Sequence, residues 1–410
     1  MALSGFKKSL YTVSATLKNL RATGVFNAAA GAFYTISKAR FLKQASLWSR
    51  ELPGIKPYYA VKCNPEPKLL GWIKDSGFGF DCASAREMDI ARGSGATGED
   101  ILFANPCKTA NDISVARTIG VPYVTADSES EIGKMYMNLY RPKLLIRIAV
   151  DDTDAACPFS AKFGVEPVKA VQIANEAYQA AIPVAGISFH VGSGSKDPEA
   201  FGRAIETAIG SWKQIVNHGV FKDPMLLDIG GGWSHKSEMF VKQAASARRA
   251  LEGLNGCVVA EPGRFFAAPV KDLYVRVMGK KPSRNGNGFR YTLDESIYGQ
   301  FSCIPFDHAK PRIARLRNPH NDPPRRKRPA TFFGRTCDSL DWIGTSDQTE
   351  ELFVGDWLYV PNMGAYTTAT STEFNGFPRP ALLDSDAEPD EEGLIWLENM
   401  KFPLADMLKI

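Results

Sequence analysis

The sequence predicts an α/β chain in which a parallel (β/α)8 TIM-like barrel is followed by an antiparallel β domain. Three observations predict it. Between about residues 40 and 260, short apolar runs alternate with helical patterns. The units are roughly 30 residues long, the spacing of βα repeats in a parallel sheet. Unusual polar residues fall at the C-terminal ends of those runs, where such barrels carry reactive groups. After about residue 265 the texture changes to strand-like runs broken by Gly, Pro, Asn and Asp, as in an antiparallel sheet.

Residues 32–36, Ala-Phe-Tyr-Thr-Ile, read as structured chain. Barrel strands are expected at 58–61, 79–81, 101–104, 123–125, 144–150, 186–191 and 226–230, and the run Cys257-Val258-Val259-Ala260 precedes Glu261. These runs are rich in aromatic and β-branched residues, which suit buried strands. Helical patterns cover 127–140, 167–180 and 200–217. Asp127 or Ser128 is a suitable N-cap for the first of these. An open doubly wound sheet is the competing arrangement of the same units. In the second region, strands are expected at 273–278, 289–293, 352–360 and 364–370. The Pro/Arg-rich stretch 309–330 is expected to be a mobile loop, and the acidic stretch 384–392 a solvated turn. No internal repeat is visible.

At 410 residues the chain exceeds one ordinary core, so two domains are expected. Its 44% hydrophobic and 23% charged content is that of a globular protein. Lys+Arg of 49 against Asp+Glu of 45 gives a net charge of +4, too little to imply nucleic acid. The densest basic run, Arg325-Arg326-Lys327-Arg328, fits a solvated loop better than a nuclear signal or an anion patch. Seven scattered cysteines without a CxxC pair predict reduced thiols and a cytoplasmic location. The five histidines show no metal-ligand spacing, and no apolar run approaches the roughly 18 residues of a membrane span. Before Glu51 the chain has no acid, but it carries Lys7, Lys8, Lys18, Arg21, Lys38, Arg40, Lys43 and Arg50. That composition makes organellar targeting the alternative to a folded N-terminal arm.

Several strand ends carry chemistry. Lys62 follows the first strand, beside the turn signal Asn64-Pro65. A lysine there either is neutralised by an acid or condenses with a carbonyl. Asp81 and Glu87 follow the next strand, Arg147 lies within 144–150, and His190 precedes Val191-Gly192-Ser193-Gly194. Asp228-Ile229-Gly230-Gly231-Gly232 and Glu261-Pro262-Gly263-Arg264 end two more. Glycines let backbone N–H groups approach an anion, and an arginine adds charged donors, so these segments suit a phosphate. The spacing is not GxGxxG, which disfavours a dinucleotide fold. Taken singly, His190 reads more often as a core histidine and Glu261 as half an ion pair, and the glycines are explained equally well by tight turns or packing. A lysine, a phosphate cradle and a carboxylate together describe a pyridoxal phosphate site.

The segments 57–64, 80–84, 188–194, 227–232, 261–264, 296–308, 336–341 and 364–380, in that order, resemble the eukaryotic-type ornithine decarboxylases. These are pyridoxal-phosphate enzymes of polyamine biosynthesis with an alanine-racemase-like barrel and a β domain. The resemblance implies three parts. Residues 1–35 form an N-terminal arm that joins the β domain, 36–265 the cofactor-binding barrel, and 266–410 the C-terminal β domain. It further implies that Lys62 is the Schiff-base lysine, that Glu261 pairs with the pyridine nitrogen, and that His190 stacks on the ring. Ser193, Gly230, Gly231, Gly232, Gly263, Arg264 and Tyr366 hold the phosphate, while Asp81, Glu87 and Arg147 support ring and lysine. A head-to-tail homodimer is implied, in which each site borrows Cys337-Asp338 from its partner. Asp341 and Phe374 lie in interface-like motifs. Cys337 is the implied proton donor to Cα, and Asp307, Asp338 and Phe374 the substrate contacts. Left unassisted by its neighbours, Cys337 reads as a buried inert thiol and Asp307 as a turn or cap residue. No metal is implied, and an antizyme-like regulator is a conceivable partner.

The chain departs from the family pattern at two places. Arg335 stands where proline is usual, and Pro305-Phe306 replaces the commoner leucine-tyrosine before Asp307. The expected activity is L-ornithine decarboxylation to putrescine and CO2. Decarboxylation of lysine or arginine is the alternative, followed by a non-catalytic regulatory homologue and a racemase.

Overall fold

The computed structural model describes residues 31–217, 224–284, 286–317, 322–386, 389 and 391–407. Lys7, Lys8, Lys18, Arg21 and most of the expected N-terminal arm lie outside them. The chain divides into two compact units, one formed by 31–40 with 268–407 and the other by Phe41–Ala267. The first strand, β1 (Phe33–Ile36), belongs to the former.

The second unit is a closed barrel of eight parallel strands: β2 (Lys56–Ala60), β3 (Gly79–Cys82), β4 (Ile101–Phe103), β5 (Tyr123–Ala126), β6 (Lys143–Arg147), β7 (Val184–Ser188), β8 (Met225–Asp228) and β9 (Gly256–Ala260). The expected barrel is therefore present, and the open sheet is excluded. Closure comes from β2 against β9, with Pro57 opposite Ala260. The register places Ala60 opposite Asp81 and Ser188 opposite Asp228. Consequently the residues just beyond several strand ends rise to one level. Tyr59, Phe80, Phe103, Val124, Ile146, Ile187 and Leu227 are wholly buried, which fixes the register by keeping the apolar set inward. The expected helix at 200–217 is Ala200–Asn217, and that at 127–140 is shorter, Glu129–Met137, with Ser128 at the N-cap.

The other unit is a mostly antiparallel sheet. Its remaining strands are β10 (Lys271–Pro282), β11 (Phe289–Leu293), β12 (Ala314–Leu316), β13 (Lys327–Phe333), β14 (Trp342–Glu350), β15 (Trp357–Val360), β16 (Ala381–Asp384) and β17 (Leu394–Trp396). The order is β14-β13-β11-β10-β15-β12-β17, and β1 joins β10 antiparallel and β16 parallel. The long β10 pairs with β1, β15 and β11, and a register shift between Val277 and Gly279 bends it. Its first half pairs with β15 and its second with β11. Leu273, Val275, Leu293, Phe301, Phe332, Ile343 and Leu358 form the core beneath it.

Three expectations need correction. The stretch 309–330 contains β12 and the start of β13 instead of one loop. Arg315 is wholly buried and donates to Glu350 at 2.5 Å and to Asp322, while Arg325 pairs with Asp356. Internal pairing removes the cost that composition alone assigns to these charges; residues 318–321 lie outside the described set. The stretch 364–370 is a series of turns, not a strand. Thr367 and Thr370 hydroxyls donate to the carbonyls of Met363 and Tyr366, and Tyr366 has φ of 53°. Such local bonds compete with a ladder. Finally, the strand expected at 352–360 is confined to Trp357–Val360, with Phe353 and Val354 exposed.

Candidate active site

At the C-terminal end of the barrel, β2 runs into a single turn, Val61–Cys63, that carries Lys62. Lys62 Nζ donates to Asp81 Oδ2 at 2.8 Å. Asp81, on β3, is buried, whereas the Lys62 side chain is 42% exposed. The amine is thus held by an acid while remaining accessible. Glu87 sits one turn into the next helix. Its carboxylate accepts from Ala83 N at 2.7 Å, and burial raises its pKa although that bond opposes the rise.

Two further acids lie where β8 and β9 end. Burial pushes the Asp228 carboxyl up to about 7, against bonding from Glu261 and from Gly230 N, which donates at 2.9 Å. Burial, then Asp228 and Asp81, raise Glu261 well above the ordinary carboxyl range, and Lys62 opposes this. A cationic N–H facing Glu261 would restore its ionised form.

His190 follows β7 and is held neutral. Burial, reinforced by Arg147 and Lys62, lowers its pKa well below 6.5. Gly192 N donates to His190 Nδ1 at 2.9 Å, so the ring proton sits on Nε2. Phe159 meets the imidazole edge-on at 4.7 Å between centroids. Arg147, which ends β6, lies 5.1 Å over the Phe163 ring.

Ser193 and Arg264 make the anion-binding side. Arg264 Nη2 donates to Ser193 Oγ at 2.9 Å. The Ser193 backbone is fixed by paired 3.0 Å bonds with Cys157. Gly230 has φ of +60°, which favours glycine. A Cβ on Gly231 would stand 2.7 Å from His190 Nε2 and 2.8 Å from Glu261 O. Only glycine leaves room at that point. Gly263 approaches Cys63 closely, where a Cβ would lie 3.0 Å from the Cys63 Cβ.

These residues fit a flat, phosphate-bearing aldehyde. They offer an accessible amine, a buried acid for a protonated ring nitrogen, a neutral imidazole, and an arginine–serine–glycine cradle. Lys62, Asp81, Glu87, Arg147, His190, Ser193, Gly230, Gly231, Gly232, Glu261, Gly263 and Arg264 all belong to this unit.

The β unit carries the remaining candidates. Cys337 is exposed, not a buried thiol, and its N and Sγ lie 3.1 and 3.3 Å from Asn375 Oδ1. Asp338 accepts from Leu340 N at 2.9 Å and from the Tyr298 hydroxyl. The Tyr298 and Phe374 rings lie 4.7 Å apart, which brings Phe374 to the same cluster. Asp307 is elsewhere, buried at the end of the short helix Cys303–Asp307, beside an exposed Phe306. Tyr366 lies in the turns after β15, outside that cluster. Asp341 accepts from Thr336 N at 3.0 Å and from Ile297 N at 3.0 Å, giving it a local structural task.

Sequence reasoning assigned no role to Asp228, Phe159, Tyr298 or Asn375. An acid ending a buried strand was a usable signal for Asp228. The other three lie in irregular segments without periodicity.

A closed barrel with this lysine, acid and anion cradle defines a class of pyridoxal-phosphate protein. The family model described as "Pyridoxal-dependent decarboxylase, pyridoxal binding domain" matches residues 38–268. An ornithine decarboxylase of Caenorhabditis elegans is 37% identical over 367 residues, covering 85% of this chain and 86% of that protein. The arginine decarboxylase of Paramecium bursaria Chlorella virus, solved with agmatine, superposes with a TM-score of 0.83 at 33% identity, covering 90% and 100% of the two chains. A lysine/ornithine decarboxylase of Vibrio vulnificus, solved with cadaverine, gives 0.81 at 30% identity, covering 92% and 100%. The chain belongs to the pyridoxal-dependent decarboxylases. Pyridoxal phosphate is its cofactor.

Neutral, half-buried His190 links stability to pH with a definite sign. Above about 6.5 the imidazole is neutral both folded and unfolded. Below it, the unfolded chain takes up a proton that the folded chain refuses, so stability falls as pH falls. The raised carboxyls of Asp228 and Glu261 bind protons on folding and act in the opposite sense over the same range, so the histidine shows as a difference: the thermal midpoint of cofactor-free wild type relative to His190→Gln should decline from pH 6.5 to 5. A difference that does not change with pH would contradict the neutral assignment.

Proposed function

We propose that the protein decarboxylates L-ornithine to putrescine and CO2, as a cytoplasmic homodimer with sites shared between subunits. The observation that carries the reaction is the Lys62–Asp81 pair facing the raised carboxyl of Glu261. When bound, pyridoxal phosphate supplies an aldehyde for the substrate amine and a ring that accepts the electron pair left by CO2. Lys62 would hold that aldehyde, and Asp81 keeps its Nζ oriented. Glu261 would accept from the ring N–H. His190 presents a neutral imidazole, so it adds no positive charge beside Arg147 and Lys62. Ser193, Gly230, Gly231, Gly232, Gly263 and Arg264 would hold the phosphate.

The Cys337 thiol holds a proton that Cα needs once CO2 has left. Asp338 and Asp307 would take the distal ammonium of the substrate. A carboxylate near an ammonium contributes about 1–4 kcal/mol where solvent is partly excluded. Retention of aspartate at both positions, as in the family resembled, supports a short diamine substrate. The ornithine decarboxylase relative supports the same substrate. Lysine is the second candidate, because Pro305-Phe306 alters the segment before Asp307 and a solved neighbour binds cadaverine. Among the described residues no helix is long and apolar enough to cross a membrane.

Rates of CO2 release from ornithine, lysine and arginine test the substrate. Ornithine should lead by at least about tenfold in kcat/KM, roughly the discrimination one methylene supplies. A lead for lysine or arginine would contradict the assignment. Site sharing has its own test. Co-assembled Lys62→Ala and Cys337→Ala subunits should regain about a quarter of wild-type activity, since half the dimers are mixed and each then has one intact site. No recovery in demonstrated mixed dimers would contradict sharing.

A further inference from the structure

The loop bearing Cys337 and Asp338 is tied to a second loop, 374–378, at several points. Asn375 Oδ1 accepts from Cys337 N, and Tyr298 joins Asp338 through its hydroxyl and Phe374 through its ring. On the other flank, Asp341 accepts from Thr336 N at 3.0 Å and from Thr336 Oγ1 at 2.7 Å. Between these ties stands Arg335. Its Nη2 donates to Pro378 O at 3.0 Å, and its guanidinium carbon lies 4.5 Å from the Phe377 ring centroid.

Arg335 also faces a buried acid, Glu295, and a half-buried one, Asp294. Its Nε and Glu295 Oε2 are both buried without a hydrogen-bond partner. They line one small cavity with Tyr298, Phe374 and Phe377. Burial pushes Asp294 up to about 6 and Glu295 up to about 7, and the guanidinium pulls both back down. The side chain therefore has a charge partner behind it and a loop in front.

We propose that Arg335 is a positioning residue that locks the Cys337-Asp338 loop against 374–378 and so fixes how thiol and carboxylate are presented. Proline, usual at this place in the family, restrains the backbone from within by fixing φ. Arginine restrains it from outside through hydrogen bonding and ring stacking. The functional part rests on the decarboxylase assignment above; the structural part does not.

The test uses Arg335→Ala, with Phe377→Leu as a second variant that keeps the charge and removes the ring. In cofactor-loaded protein, iodoacetamide labelling is followed peptide by peptide. Cys337 should label about five- to tenfold faster in Arg335→Ala, the shift expected on losing one hydrogen bond and one cation–π contact. Phe377→Leu should move it in the same direction by less. Exposed Cys107 and Cys257 in the barrel should keep wild-type rates. Turnover at saturating substrate should fall by a similar factor, and in a Cys337→Ala background Arg335→Ala should cost little more. Unchanged Cys337 labelling in both variants, an equal rise at Cys107 and Cys257, or full additivity with Cys337→Ala would overturn the proposal. Labelling requires no turnover, so a wrong substrate assignment leaves the first two outcomes readable.

Discussion

Two carboxyl groups, those of Asp228 and Glu261, are buried side by side where β8 and β9 end, and the rest of the barrel site depends on them. Burying acids in contact is costly unless protons or cations offset the charge. Here both respond: the acids shift upward, and Arg147 and Lys62 pull Asp228 and Glu261 respectively back down. The same two cations disfavour a charge on His190. One electrostatic arrangement therefore sets the protonation of three groups. It exists because barrel closure brings consecutive strand ends to one level, with Ala60 beside Asp81 and Ser188 beside Asp228.

The glycines are the steric counterpart of that arrangement. Gly231 lets the backbone pass between the His190 ring and the Glu261 carbonyl, where a methyl group has no room. Gly230 supplies the left-handed turn that returns the chain after β8. In the β unit, the groups proposed to meet the substrate are held differently. Cys337 and Asp338 are presented on a loop by side-chain bonds from Asn375 and Tyr298. Barrel chemistry is thus fixed by strand register, whereas the thiol and carboxylate are fixed by loop-to-loop contacts, which single substitutions can loosen.

Much of the barrel was legible because buried parallel strands are short apolar runs and polar residues at their ends are conspicuous. Lys62, Asp81, His190 and Glu261 all stood out in this way. The β unit was less legible. Arg315 and Arg325 made 309–330 look like a mobile loop, and their buried partners Glu350 and Asp356 explain the strands there. Those two partners are distant in sequence, so no local pattern could announce them. The Gly364–Thr370 run failed for the opposite reason: its strand-like composition is overruled by threonine hydroxyls bonding to their own backbone. Asn375 and Tyr298 were invisible because their work is done across loops.

The central claim is that Lys62 is the amine that holds the cofactor. Borohydride reduction of the protein as purified with pyridoxal phosphate, followed by peptide mapping, tests it most directly. The predicted result is one phosphopyridoxyl group per chain, on the peptide containing Lys62. A label on another lysine would contradict it. Buried Lys108, whose pKa burial lowers to about 8, is the strongest competitor in the barrel.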